Sequence, residues 1–541
     1  MHTSTFQSRS FVWFLLYLIG LGLGPTIRSQ AQGYVAPSPD AMALARQASS
    51  QVSHYTGTLG ISIPLATLPG RELSVTASLS YHAAGNKVAD IASSEGLGWS
   101  LSAGGLITRV VRGTPDDLAN GFCTANKSDT EPDLFIFSFM GRSGKFVLDR
   151  NGSPVLYPYQ DLVIKPGICV NSTQTWEMVD ENGTRYLFGA SMESRETTTM
   201  RSVRGGASTS YVSSWHLSSV ISANGTDEIR FLYNNTTISY TNYFYTKYDF
   251  CTTDLTLKDE SIQVTVDTRH ISSIASSAGY IQFNWSSGRE DIAGGVALSS
   301  IRVTNRLSDQ THTLRFEYAY FQAPGCDTEI CKRLRLEKIF DLSGAPLYSF
   351  EYNTAVNLPG RNSNNFDHWG YFNNNTVDSW LPAHPGVGLA GASREPDESR
   401  LQANILTRMN KRGGSYQRFT YEIHRGMKNG LVHLVSGARI KSIENGDGQG
   451  NIYTTSYTYL KANGEGSGIL FRKPSYAVYL MVNPMSVVVR RYSHSYAELW
   501  DVNGAHLGYS RVEEATTNSG KVVYSFTNYD TNPDLALGGD A

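Results

Sequence analysis

The chain has little of what usually betrays chemistry. Charged residues are 17% of its 541 positions, the formal net charge is -2, and neither sign gathers into a block. That excludes an electrostatic field for nucleic acid. Helical periodicity is scarce; the best window, Ala41 to Ser50, is short. No long apolar run follows the N-terminal one, so no membrane span is expected in the remainder. A G-x-S-x-G elbow and an H-E-x-x-H helix are both missing. The five cysteines, Cys123, Cys169, Cys251, Cys326 and Cys331, form no C-x-x-C or metal-ligand spacing. Cys326 and Cys331 flank a four-residue segment and are placed to close a hairpin end. In an exported chain the odd count leaves at least one thiol free or intermolecular. No residue here announces itself as catalytic, metal-binding or cofactor-binding.

What is abundant is glycine and tyrosine, 50 and 31 residues, with apolar residues at 40%. Such glycine-punctuated, Tyr- and Ser/Thr-rich sequence favours strands. The expected fold is all-β: a large array of antiparallel β-hairpins, as a shell or as sandwich modules, with little helix. The N-terminus reads as an export signal. Arg9 supplies the positive region, Phe11 to Leu23 the apolar core, and Pro25 ends it. Ser29-Gln30-Ala31 predicts cleavage before Gln32. The alternative, an uncleaved anchor, calls for roughly 20 apolar residues, and this run is shorter.

Tyr55 to Asp117 is the stretch around which the rest is organised. Leu73, Val75, Ala77, Leu79 and Tyr81 alternate with polar neighbours, the signature of a half-buried strand. Gly96-Leu97-Gly98-Trp99 predicts a tight turn that throws a Trp inward. Ser100-Leu101-Ser102 resumes the strand, Gly104-Gly105 interrupts it as a bulge or bend, and Leu106 to Val111 continues it. Leu134 to Phe139 and Lys145 to Asp149 predict a hairpin turning at Gly141-Arg142-Ser143-Gly144. Trp176 to Asp180 turns at Glu181-Asn182-Gly183 into Thr184 to Gly189.

From residue 215 a unit recurs: apolar-x-x-apolar, a polar turn, then aromatic-x-aromatic. Leu217/Val220 leads to Phe231/Tyr233, Ile271/Ile274 to Phe283/Trp285, and Leu298/Ile301 to Phe316/Tyr318. Leu336/Ile339 leads to Phe350/Tyr352, Leu406/Met409 to Phe419/Tyr421, and Ile440/Ile443 to Tyr457/Tyr459. Six related hairpins are expected to bury one continuous core by stacking. Between the fourth and fifth lies Asp367-His368-Trp369-Gly370-Tyr371-Phe372-Asn373. One more hairpin-like piece, Gly508 to Val512 with Tyr524 to Phe526, follows near the end.

These strings resemble the N-terminal region of RHS/YD-repeat secreted proteins of Bacteroidetes-type bacteria, related to the SpvB-like and Tc-toxin B-component N-terminal modules. The resemblance is carried by Ile63-Pro64-Leu65, Pro69-Gly70-Arg71, Leu79-Ser80-Tyr81-His82, Gly96 to Leu101, Gly104-Gly105, Ile107-Thr108-Arg109, Arg112-Gly113-x-Pro115-Asp116-Asp117 and the Asp367 string. The sharper Tyr-Asp-x-x-Gly-Arg repeat is absent. After the export signal at 1–31 and a leader at 32–53, the resemblance implies an SpvB/RHS-like β module at 54–200. Degenerate YD-like hairpins with the Asp367 insertion then occupy 201–530, and a tail 531–541. It marks Gly96, Gly98, Trp99, Gly104, Gly105, Arg109, Asp367, His368, Trp369, Gly370 and Tyr371 as structural motif residues.

Four strings invite chemistry. Asp367-His368 suggests an oriented general base, with Trp369 and Tyr371 to stack a sugar. Adjacent strand residues point to opposite faces, however, and a buried aromatic knot held by a His hydrogen bond is the plainer reading. Asp116-Asp117 suggests paired carboxylates or a cation site, against a solvated turn. Asn445 to Asn451 spaces oxygen ligands as a calcium loop would, but its twelfth position is Ser456, so a hairpin turn fits better. Gly141 to Lys145 fails as a phosphate loop, because positions 139 and 146 are both Phe.

The expectation is an exported, non-enzymatic structural or cell-surface protein without cofactor, secreted or held at the outer surface. Its resemblance implies the N-terminal, shell-forming part of an RHS/YD-repeat protein. The implied partner is a C-terminal cargo or further YD-repeat shell, in a longer polypeptide or a partner chain. The alternatives are a standalone glycan-binding adhesin, motivated by a Tyr/Trp/Asn-rich surface from Trp369 to Asn375, and a secreted carbohydrate-active enzyme using Asp367 or Asp116.

Overall fold

Apolar-polar alternation makes the strands of this chain, and glycine turns decide where each one ends. A computed structural model describes residues 38–41, 52–124, 129–170, 172–249, 257–306, 310–483, 486–496, 499 and 505–533. The predicted export signal, the helical window beyond Ala41, Cys251 and the end of the tail lie outside the described residues. Within them the fold is all-β, and helix is confined to single turns.

Strands β1 (Val52–Ser53), β2 (Thr58–Pro69), β3 (Ser74–His82) and β4 (Trp99–Ser102) form an antiparallel sheet in chain order. On β3 the predicted face is inside: Val75, Ala77, Leu79 and Tyr81 are at most 1% exposed. Gly104-Gly105 is not a bulge within one strand. The chain changes sheets there, and β5 (Gly105–Val110) pairs with Leu134–Phe139 and with Thr209–Ile221. Gly104 takes φ 133°, and a Cβ on it would lie 3.0 Å from the Phe231 ring, so the corner calls for glycine. The next hairpin turns earlier than expected. Phe139 pairs directly with Arg142, leaving Met140-Gly141 as a two-residue turn with φ 47° and 79°. Both central residues being left-handed matches the strand twist, so Arg142 to Gly144 belong to the strand.

Strands from β5 to Arg185–Phe188, together with Thr209–Ile221, wrap an aromatic core. Phe135 stacks on Phe146 at 5.0 Å, and Trp176 meets Trp215 edge-on at 5.5 Å. Arg195–Ser202, Thr209–Ile221, Glu228–Asn242 and Ile262–Ala275 pair in a closed ring. Met200, Tyr211, Ile238, Val264 and Val266 fill it. Arg195–Ser202 runs across residue 200, and one core contains residues from both sides of that position.

All six repeats fold as hairpins of one continuous antiparallel sheet, joined by a rule absent from any single strand. Apolar residues three apart are out of phase with a strand's period of two. Each apolar-x-x-apolar strand restores the phase with a bulge against the preceding strand: Ser218, Ser272, Ser299, Glu337, Thr407 and Lys441 are each left without an opposite residue. Beside each bulge, the second aromatic of the repeat donates to the carbonyl of its first apolar residue. The six bonds are Tyr233–Leu217 2.7 Å, Trp285–Ile271 2.8 Å, Tyr318–Leu298 2.9 Å, Tyr352–Leu336 2.7 Å, Tyr421–Leu406 2.9 Å and Tyr459–Ile440 2.6 Å. The second aromatic therefore carries a hydroxyl or indole N–H, whereas the first is Phe in five of the six repeats. The hairpin ending at Ser525 breaks the rule: Arg511–Thr516 shows no register shift, and the second aromatic there is Phe526.

Candidate functional site

The N-terminal sheet covers the inner aromatic face of the repeats. Trp99 is fully buried, 5.1 Å from Tyr81 and 4.7 Å from Phe350, and its Nε1 donates to the Tyr352 hydroxyl at 2.9 Å. Tyr81 accepts from the Leu406 amide at 3.0 Å, and burial pushes its phenol well up. Gly98 takes φ 80° and would place a Cβ 2.5 Å from the Tyr81 ring. Backbone bonds stitch the same seam: Leu97 to Leu334, Leu298 to Ser94, Ala438 to Ala84 and Ile440 to Gly57. Asp227 caps the Glu72 and Leu73 amides at 2.8 and 3.0 Å.

Arg109 and the Asp116-Asp117 string come together, but as a closed knot. Arg109 is 1% exposed; its Nε meets Asp133 at 2.6 Å and its Nη1 meets Asp117 at 2.8 Å. Asp116 and Asp133 exchange backbone-to-carboxylate bonds of 2.9 and 3.1 Å. Burial, reinforced by the negative charge of Asp133, pushes Asp116 up to about 7. Burial also acts upward on Asp117, but Arg109 beside it outweighs this and holds it below the usual carboxylate range. Asp116 is buried rather than in a solvated turn, because it braces the loop that brings Asp133 to Arg109.

Asp367, His368 and Trp369 are neighbours with separate tasks. The Asp367 carboxylate accepts its own loop's amides, Trp369 at 2.9 Å and Tyr371 at 3.0 Å, and burial raises it to about 6. His368 turns to the Tyr476 hydroxyl at 2.7 Å, with Glu395 at 3.7 Å. Gly370 receives the Val88 amide, tying this insertion to the N-terminal block. Trp369, Tyr371, Asn373 and Asn375 are each at most 6% exposed. The stretch read as a sugar-binding surface therefore turns most of its rings and asparagines inward, with Asn374 exposed, because its amides and rings hold the insertion together.

Two buried arginines do comparable work: Arg394, part of the Arg394-Glu395-Pro396 string that also follows the resemblance, and Arg333, which carries no sequence signature. Arg394 donates to the carbonyls of Asn364, Phe366 and Trp380 over the Phe366 ring, and burial lowers it to about 10. Arg333 holds the carbonyls of Val88, Asp90 and Pro359, and burial, with Arg361 nearby, lowers it to about 9. Asp447 caps its own turn through the Gln449 and Asn451 amides. Among the described residues no His, Cys, Asp or Glu cluster is arranged to hold a metal, and no helix is long and apolar enough to cross a membrane. Cys326 is bonded to Cys331, and Cys123 to Cys169, a pair the spacing did not single out.

No known protein family and no curated protein matches the sequence. Among solved structures, the chain is similar to the N-terminal domain of effector protein SpvB from Salmonella typhimurium strain LT2, at 12% identity and TM-score 0.28. That match covers 52% of this chain and 98% of the other. It is also similar to TcdB2-TccC3-TEV, at 10% identity and TM-score 0.35, covering 93% of this chain and 36% of that one. TcdB2-TccC3 without its hypervariable C-terminal region matches at 10% identity and TM-score 0.33, covering 87% and 36%. The chain thus spans about a third of the length of these last two.

Proposed function

We propose that this is an exported, non-enzymatic structural protein of the RHS/YD-repeat type, which starts a β-shell and seals its opening. The observation that carries this reading is the continuous repeat sheet. The N-terminal block covers its inner aromatic face, with contacts from the first repeat to the sixth. The repeat sheet's last described strand, Gly520–Ser525, pairs on one side only among the described residues, with Val522 and Val523 53% and 43% exposed. An unpaired apolar edge invites another strand. In this reading the partner is further shell or cargo-bearing polypeptide, and bond chemistry is replaced by shape and burial. The groups most suited to catalysis, Asp367, His368 and Asp116, are engaged in holding loops, which speaks for the structural reading over the carbohydrate-active one.

The test is to determine the intact mass of the exported polypeptide and what co-purifies with it. A polypeptide that continues into further hairpins, or a bound β-rich partner protected from protease, is the expected result. A lone 32–541 chain that binds a glycan array, and loses the binding on Trp369→Ala, would favour the adhesin instead.

A further inference from the structure

The hairpin of Arg195–Ser202 and Thr209–Ile221 closes at the Met200–Thr209 pair. Beyond it eight consecutive residues, Arg201 to Ser208, are exposed, the longest such run among the described residues. Arg201 and Ser202 still pair with Gln263 and Ile262, and the Val203 and Gly205 amides donate to Ser261 and Ser202 at 3.0 Å each. Gly206 to Ser208 lie outside any element. Gly205 and Gly206 take φ 91° and 121°, and a Cβ on either would meet nothing within 4 Å. The glycines leave this backbone free to straighten, and exposed loop tips of small and polar residues are where proteases nick folded chains.

Three other exposed basic sites lack that freedom. Arg412 is bonded to Asp341 through both Nη atoms at 2.8 Å, and Arg71 lies in a turn whose next two amides are capped by Asp227. Arg472 and Lys473 form an exposed run of only two residues. A cut beside Arg204 would part the chain without parting the fold. Thr209–Ile221, in the second piece, pairs with β5, Arg185–Phe188 and Arg195–Ser202 of the first. Arg195–Ser202 pairs in return with Ile262–Ala275 of the second piece. Each piece thus lays a strand between or beside strands of the other. Cys123 and Cys169 lie in the first piece and Cys326 and Cys331 in the second, so neither disulfide crosses the cut.

We propose that Arg204–Gly205 is a processing site for an arginine-specific endopeptidase, which converts the protein into two interlocked chains. The Arg204 side chain, in the middle of the exposed run, is the group recognised. Water adds across the Arg204–Gly205 amide, leaving a carboxylate on Arg204 and an ammonium on Gly205. The four-stranded N-terminal sheet, which covers the inner aromatic face of the repeats, goes with the first piece. After the cut that cover is held by strand pairing and burial alone, and it becomes a removable part. The site is read from the fold and needs no partner or cargo, so it and the shell reading can fail separately.

Limited digestion of the folded mature chain with trypsin tests it, read by intact mass. The first products are expected to end at Arg204 and begin at Gly205, to co-elute on size exclusion, and to separate in urea without reductant. Arg204→Gln should slow this first cut at least about tenfold, since the loop opens as before and only the recognised side chain is lost. A first cut elsewhere, or one in Arg204→Gln as fast as in the parent, would overturn the site. Pieces that part on native size exclusion would overturn the interlock. Protein recovered from its producing cells should carry a second N-terminus, Gly205-Gly206-Ala207. A bond left wholly intact there would overturn the processing.

Discussion

At the scale of single residues, the fold depends on polar tips of aromatic side chains. The Tyr352 hydroxyl donates to Leu336 and accepts from Trp99, so Tyr352→Phe leaves two buried groups without a partner. The expected cost is about 1–3 kcal/mol in urea unfolding; exposed Tyr453→Phe should be near neutral. A cost no larger than that of Tyr453→Phe would show that the lock does not matter. Buried acids and histidines set opposing pH dependences. Asp116 and Asp367 are raised to about 7 and 6, so the folded state binds their protons more tightly and loses that stabilisation as pH rises through those values. His494 and His506 are lowered to about 3 and 4 by burial, so their contribution is complete above about 6.5 and is lost as pH falls. The two dependences overlap and oppose each other from about pH 4 to about 6, so these four groups together leave stability nearly flat there. Asp116→Asn should raise the urea midpoint at pH 8 and leave it little changed at pH 5, and an equal shift at both would refute the assignment.

At the scale of elements, the repeat is a bulge and an aromatic acting together. Deleting Glu337 removes the bulge's extra residue and returns Leu336 to a regular ladder. In that background Tyr352→Phe should cost much less than in the parent, a coupling a double-mutant cycle reads directly. Additive effects would mean that hydroxyl and bulge are independent. The two disulfides differ in the chain they close. Cys123 and Cys169 are 46 residues apart, and Cys326 and Cys331 are 5 apart. Loop entropy predicts losses of about 4 and about 2 kcal/mol for the corresponding Cys→Ser pairs. Calorimetry giving the reverse order would show that strain or residual structure dominates.

At the scale of the whole molecule, the N-terminal sheet and the repeats share one core, with Leu59, Leu79 and Trp99 in the same cluster as Leu298, Phe350 and Ile440. A chain lacking residues 52–102 should expose the inner aromatic face, bind a hydrophobic dye and aggregate. A soluble, cooperatively folding monomer of that kind would mean the sheet merely decorates the repeats.

The sequence by itself determined the inward face of β3, the six hairpins, and the turn that buries Trp99, because alternation and glycine turns are local. The apolar-x-x-apolar spacing even contained the bulge, as two inward residues one position out of phase. Tertiary structure alone decided the rest. Gly104 is a corner between sheets because Phe231, over a hundred residues away, occupies the space beside it. Asp116 is buried because Asp133 and Arg109 enclose it. The Trp369 segment faces inward because Arg394 and Val88 reach it from elsewhere in the chain. Each outcome rests on a partner distant in sequence, and a side chain's exposure and charge are set by what folding brings beside it.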